Sequence, residues 1–242
     1  MLERQSPVQI RLADVLTRMA NATTMPNRPA PALLAVSKTQ PVDAIAALAA
    51  AGQHAFGENY VQEALSKIDA LQALGLEWHL IGNLQSNKTQ DAARAFDWIQ
   101  TIDRAKLIAL LARHRPPELP PLNVLVQVNI DDEASKHGCA PADAMALADL
   151  IAAESRLRLR GLMAIPAPHE DPQRRVQAFR AMRDLFDAMG QRHPAIDTLS
   201  MGMSGDFVAA IEQGATMVRV GSALFGPRVT PAQDASKQER HS

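Results

Sequence analysis

The sequence predicts a single (β/α)8 barrel preceded by one extra helix. Three observations predict it. Eight short apolar runs recur along 242 residues, helical stretches separate successive runs, and polar residues gather at the C-terminal ends of the runs. Strands alternating with helices form a parallel sheet, and 242 residues suit one closed barrel. A doubly wound open sheet is the rival, but nothing here resembles its G-x-G-x-x-G turn after the first strand.

The extra helix runs from about Val8 to Ala20, with Val8, Leu12, Val15, Leu16 and Met19 at helical spacing. Pro26 to Pro31 breaks it and leads into the first strand, Leu33 to Lys38, read L-L-A-V-S-K and closed by Pro41. An Ala-rich helix then runs to Ala51 and stops at Gly52. The second strand is His54 to Asn59, and a helix follows from Tyr60 with Val61, Ala64, Leu65 and Ile68 on one face. The third is Glu77 to Gly82, with a helix from near Ser86 to Phe96. The fourth is Trp98 to Asp103, with its helix over Arg104 to His114.

A proline-rich loop leads to the clearest strand, Asn123 to Asn129, and Pro141 opens the next helix at a first turn, where proline is tolerated. The sixth strand is Leu157 to Pro166, followed by a long helix over Pro172 to Arg192. Thr198 to Met203 is the seventh, Phe207 to Gln213 its helix, and Met217 to Gly221 the eighth. Residues 1–229 thus form one domain, and Thr230 to Ser242 reads as a polar, disordered tail.

Composition excludes several function classes. Net charge is −1, which gives no footprint for nucleic acid or an acidic membrane. No apolar run is long enough to span a bilayer. The start M-L-E-R-Q-S-P-V lacks the basic and apolar segments of a signal peptide, and Cys139 is the one cysteine, so a cytoplasmic location is expected. H-E-x-x-H and G-x-S-x-G do not occur, and no metal site is expected.

In a barrel the chemistry lies at the C-terminal strand ends. Those ends carry Lys38, Asn59, His79 and Asn129, then Met201, Met203 and Ser204, then Arg219, Gly221 and Ser222. Alternation puts Lys38 on the same face as Val36 and Leu34. A desolvated amine favours its neutral form, and a neutral lysine amine condenses with aldehydes. The competing reading is a lysine that merely snorkels to water.

The last two groups resemble a phosphate site, because barrels bind phosphate at the loops after strands seven and eight. Ser204-Gly205 precedes a short helix, and Gly221-Ser222 presents backbone amides closely. Arg219 lies between Val218 and Val220 and needs an anionic partner, either a phosphate or a protein carboxylate. Asp206 counts against phosphate unless its carboxylate faces away. His79 and Cys139 read as structural residues.

Seven blocks occur in an order that resembles one known family. They are A-V-S-K ending at Lys38, F-G-E-N-Y-V-Q-E from Phe56, H-L-I-G-N-L-Q-S-N-K from His79 and V-Q-V-N-I from Val126. G-L-M-A-I-P from Gly161, L-S-M-G-M-S from Leu199 and M-V-R-V-G-S-A-L-F-G from Met217 complete the set. The chain is similar to the pyridoxal phosphate homeostasis proteins, from about Leu33 to Arg228. The resemblance implies the barrel of the alanine racemase N-terminal domain, the type III fold of pyridoxal phosphate proteins. It implies that Lys38 carries pyridoxal 5′-phosphate as an aldimine, that Ser204, Arg219, Gly221 and Ser222 surround the phosphate, and that Asn59 and Met201 lie near the ring. One departure is Gly205, where the family usually has the first of two acidic residues.

The resemblance implies a monomer that holds the cofactor and passes it to apo enzymes that need it, without turnover. The residues agree in part: one barrel uses up the chain, and Tyr60 is its only tyrosine. A racemase of this kind needs a second base, a tyrosine from a second domain. No acidic partner for the pyridine nitrogen is evident either. The alternatives are a single-domain amino-acid racemase dependent on the same cofactor, and a sugar-phosphate isomerase in which Lys38 forms the Schiff base with no cofactor.

Overall fold

The computed structural model describes residues 6–25, 28–131, 133, 137–166 and 171–226. The proposed tail at 230–242 lies outside them.

The first helix, α1 (Pro7–Asn21), starts where the sequence supplies a complete cap. Ser6 Oγ accepts the Gln9 N–H at 3.3 Å, and Gln9 Oε1 accepts the Ser6 N–H at 2.7 Å. Leu12, Val15 and Met19 are its buried stripe. Eight parallel strands follow: β1 (Ala32–Val36), β2 (Ala55–Glu58), β3 (Glu77–Leu80), β4 (Trp98–Ile102), β5 (Leu122–Val128), β6 (Leu157–Ala164), β7 (Thr198–Met203) and β8 (Met217–Val220). They pair in sequence order, and β1 pairs with β8 to close the barrel, with Leu34 opposite Arg219. Between them run α2 (Val42–Ala50), α3 (Val61–Ala70), α4 (Thr89–Ala95), α5 (Ala105–His114), α6 (Ala144–Ala152), α7 (Pro172–Arg192) and α8 (Phe207–Glu212), and α9 (Ser222–Phe225) follows β8.

Period-two alternation divides the strand side chains. One set, including Phe56, Ile99, Val124, Val126, Leu162 and Val218, forms the large core under the helices. The other set fills the barrel in two small apolar clusters, Leu34 with Ile81 and Met217, and Trp98 with Leu125 and Met163. Trp98 lies at the centre of a stacked layer. Its ring stacks on His79 at 5.0 Å, and the Arg160 guanidinium lies 4.3 Å over it. Two hydrogen bonds to Asp197, at 2.8 and 2.7 Å, hold Arg160 there.

The expected strands are present, but several stop short. β1 ends at Val36, so Lys38 lies in the turn beyond it. The Ser37 N–H still bonds Gly57 O at 2.9 Å, but the Ser37 carbonyl accepts the Gln40 N–H and Lys67, and Thr39 turns to φ 64°, which ends the ladder. β2 stops before Asn59, β5 before Asn129, β6 before Ile165-Pro166 and β8 before Gly221. The helices expected from Ser86 and Pro141 begin as short 3-10 turns, Ser86–Lys88 and Pro141–Asp143, before α4 and α6.

Candidate functional site

The barrel mouth is built from the turns after β1, β2, β7 and β8. Closure between β1 and β8 sets Lys38 beside the Gly221 turn. A Cβ added at Gly221 would stand 3.3 Å from the carbonyl oxygen of Val36, two residues before Lys38. On the other side, the Gly221 N–H donates to Ser204 Oγ at 3.2 Å. Lys38, Gly221 and Ser204 therefore form one continuous arc, and Ser222 stands exposed at the first position of α9. Lys38 and Asn59 are half-buried, and the side chains of Lys38, Asn59 and Ser222 take no hydrogen bond among the described residues. These are polar groups at the mouth that the fold itself does not use.

Asn59 is placed by a close approach. A Cβ at Gly82, after β3, would lie 2.0 Å from the Asn59 carbonyl oxygen, so only glycine lets the two turns touch. The Asp206 carboxylate is engaged by the fold: its Oδ1 accepts the Met203 N–H at 2.6 Å and closes the turn after β7. Met201 is fully buried in the large core. Its neighbour Ser200 is the β7 residue bonded into the barrel interior.

Arg219 is 3% exposed and projects into the barrel. Its Nη1 donates to Ser200 Oγ at 2.7 Å and its Nη2 to the Ala164 carbonyl at 2.7 Å. Neither partner is charged, and among the described residues Arg219 makes no ion pair. Of the two partners the sequence left open, the protein carboxylate is therefore not in contact. Burial pushes the guanidinium down to about 10, with the Asp206 charge pulling the other way, so it stays protonated at neutral pH.

The Ser200 hydroxyl passes this polarity on. It donates to Gln100 Oε1 at 2.7 Å, Gln100 Nε2 donates to His79 Nδ1 at 2.9 Å, and His79 Nε2 donates to Glu77 at 2.8 Å. Every donor in this chain points away from Arg219. With Nδ1 accepting, Nε2 carries the proton, and the imidazole is neutral. Burial lowers the His79 pKa, opposed by the bond to Glu77. His79 is thus a structural relay, as its lone position implied.

Cys139 is structural too. Burial and the nearby Asp143 push its thiol up to about 11, which leaves no thiolate for chemistry. Asn129 caps the turn after β5, donating to the Glu133 carbonyl at 2.9 Å. Among the described residues no three His, Cys, Asp or Glu side chains gather to hold a metal ion.

The sequence reading missed Ser200, Gln100 and Lys67. Ser200 and Gln100 are polar residues in the middle of buried strands, which is a usable signal. Lys67 is buried on the apolar face of α3 with Val61 and Ala64.

The model of the alanine racemase N-terminal domain matches residues 10–229. The pyridoxal phosphate homeostasis protein of Escherichia coli (strain K12) is 52% identical over 222 residues, covering 90% of this chain and 95% of its own. The chain belongs to this family. The Haemophilus influenzae member is 54% identical over 200 residues, with 81% of this chain and 84% of its own covered. PipY of Synechococcus elongatus, solved without PLP, superposes with a TM-score of 0.81 at 36% identity, over 90% of this chain and all of PipY. A second PipY structure has PLP bound and superposes at 0.78. An alanine racemase from Corynebacterium glutamicum shares the fold, at 18% identity and a TM-score of 0.64. The family match covers the whole barrel and leaves the expected fold class unchanged.

Proposed function

We propose that this chain binds pyridoxal 5′-phosphate, holds it as a Schiff base on Lys38, and serves to keep and hand on the cofactor inside the cell. The observation that carries this reading is the arc at the mouth: a lysine amine with no protein partner stands beside the Ser204–Gly221 turn and the unused Ser222 hydroxyl, backed by a buried cation in contact with no carboxylate. Such a cation suits a phosphate, which brings its own negative charge.

The residues fit the group. Ser204, Gly221 and Ser222 would take the phosphate, with Arg219 supplying charge from the barrel side. Lys38 would take the aldehyde, Asn59 would lie beside the ring, and Met201 would support that region from the core. The cofactor itself supplies a reactive aldehyde and a conjugated ring. Condensation of the Lys38 amine with that aldehyde would release one water and would need no oxidant or reductant.

Holding rather than turnover is supported by Tyr60. The only tyrosine is 62% exposed at the start of α3, an unsuitable place for a second base. Apo enzymes that need the cofactor are the proposed recipients.

The test is an absorbance spectrum of the loaded chain before and after borohydride, with mapping of the reduced residue. The expected label is on Lys38, and Lys38→Ala is expected to lose the absorbance band while keeping its fold. A label on Lys88 would move the site. Turnover of L- or D-alanine at about 1 per second or more would instead favour a single-domain racemase.

A further inference from the structure

The residues on either side of Lys38 are gripped by a buried ionic cluster that the cofactor site does not use. Lys67, on α3, is 5% exposed, and its ammonium has three protons and three acceptors. These are the Ser37 carbonyl at 2.8 Å, Glu58 Oε1 at 2.8 Å and Glu63 Oε1 at 2.7 Å. Glu58 Oε1 also accepts the Ser37 hydroxyl at 2.5 Å. Glu63 Oε1 also accepts the Thr39 backbone N–H at 2.6 Å. The residue before Lys38 is therefore held at its carbonyl and its hydroxyl, and the residue after it at its amide. The side chain of Lys38 takes no part.

Two features say that this cluster is more than packing. Thr39 is the one non-glycine residue with positive φ among the described residues, at 64°. That conformation is strained for a threonine and persists only where neighbours enforce it. Here the Gln40 N–H closes the turn on the Ser37 carbonyl at 3.0 Å, and the Glu63 carboxylate holds the Thr39 amide within it. The cluster is also poorly built for stability alone. Glu58 Oε2 is buried without a partner, and burial outweighs Lys67 and Ser37 in raising the Glu58 pKa. A buried ion pair of this kind is often no more stabilising than apolar side chains of the same volume.

We propose that Lys67, Glu58 and Glu63 are positioning residues for Lys38, by which α3 fixes the backbone on both sides of the lysine and so sets how fast its amine captures and releases an aldehyde. The inference rests on the reading above that Lys38 forms the Schiff base. Misplacing a reacting group by about 1 Å can slow a reaction on the order of a hundredfold, so the grip is expected to matter kinetically more than energetically.

The test uses the full chain as wild type, Glu63→Ala, Glu63→Gln and Lys67→Met. Three quantities are measured. One is the stopped-flow rate of Schiff-base formation with pyridoxal 5′-phosphate. The second is the affinity for pyridoxine 5′-phosphate, which has an alcohol in place of the aldehyde and needs the phosphate corner without the amine chemistry. The third is hydrogen exchange of the segment containing the Thr39 amide.

Glu63→Ala is expected to slow Schiff-base formation about tenfold or more, to speed exchange at Thr39, and to leave the affinity for the alcohol within about twofold of wild type. Glu63→Gln keeps an acceptor for the Thr39 N–H and is expected to restore most of the rate. Lys67→Met should show the same split between rate and affinity, and if it fails to fold, the Glu63 pair decides. A rate in folded Glu63→Ala within about twofold of wild type overturns the proposal. So does an equal loss for the alcohol, which would mark the cluster as general support for the barrel. Wild-type protein that forms no Schiff base overturns the cofactor reading, and this inference with it. That failure is told apart because it appears before any residue is changed.

Discussion

Arg219 keeps its charge among neutral partners, and this makes it a sensitive residue to change. Ser200 and the Ala164 carbonyl satisfy two of its donors without cancelling its charge. Arg219→Gln is therefore expected to weaken pyridoxal 5′-phosphate more than unphosphorylated pyridoxal. Hydrogen bonds to charged groups contribute about 1.5–3 kcal/mol, on the order of a ten- to hundredfold loss in affinity. Stability should fall less, because removing a buried charge also removes its desolvation cost. Titrating both ligands against both proteins at fixed salt is the check. Equal losses would mean that Arg219 supports the barrel and that the anion sits elsewhere.

At the scale of elements, the site depends on pairs of turns that touch. The turn after β3 meets the turn after β2 where Gly82 lies under the Asn59 carbonyl. Gly82→Ala would place a methyl 2.0 Å from that oxygen, so one turn must move. Overpacking of this sort costs about 1–3 kcal/mol. The expected outcome is a lower urea midpoint together with weaker cofactor binding, whereas Asn59→Ala should weaken binding with a stability change within about 0.5 kcal/mol. Unchanged binding in a folded Gly82→Ala protein would remove Asn59 from the site.

The elements were also the most legible part of the sequence. Short apolar runs such as N-V-L-V-Q-V mark strands because they are buried on both faces, and all eight appear where expected. Their C-terminal ends were less legible. Whether Ser37 and Lys38 continue β1 is decided by Lys67 and Glu63, which come from another element thirty residues on. For the same reason the helix after β2 reads as an ordinary amphipathic one, while Lys67 on its apolar face meets partners that no local window contains. The motifs named Lys38, Ser204, Arg219 and Gly221 as site residues. They did not reveal that the partners of Arg219 would be neutral, because Ser200 on β7 and Ala164 at the end of β6 meet it only inside the folded barrel.

At the scale of the whole molecule, the barrel has two unlike ends. At one end lie the unused polar groups of Lys38, Asn59 and Ser222; at the other, Arg160, Trp98 and His79 stack into a plug held by Asp197. The interior between them is filled by Leu34, Ile81, Met217, Trp98, Leu125 and Met163. A ligand held beside Met203, which is 41% exposed at the end of β7, therefore arrives and departs on the side of the mouth. Loading and unloading are then one passage travelled in two directions, and a recipient has to come to that opening. Met203→Trp should slow arrival and departure by the same factor, leaving affinity unchanged. Arg160→Ala, at the plug, should lower stability and leave both rates alone. If opening the plug speeds arrival and departure by the same factor, the molecule has a back door after all.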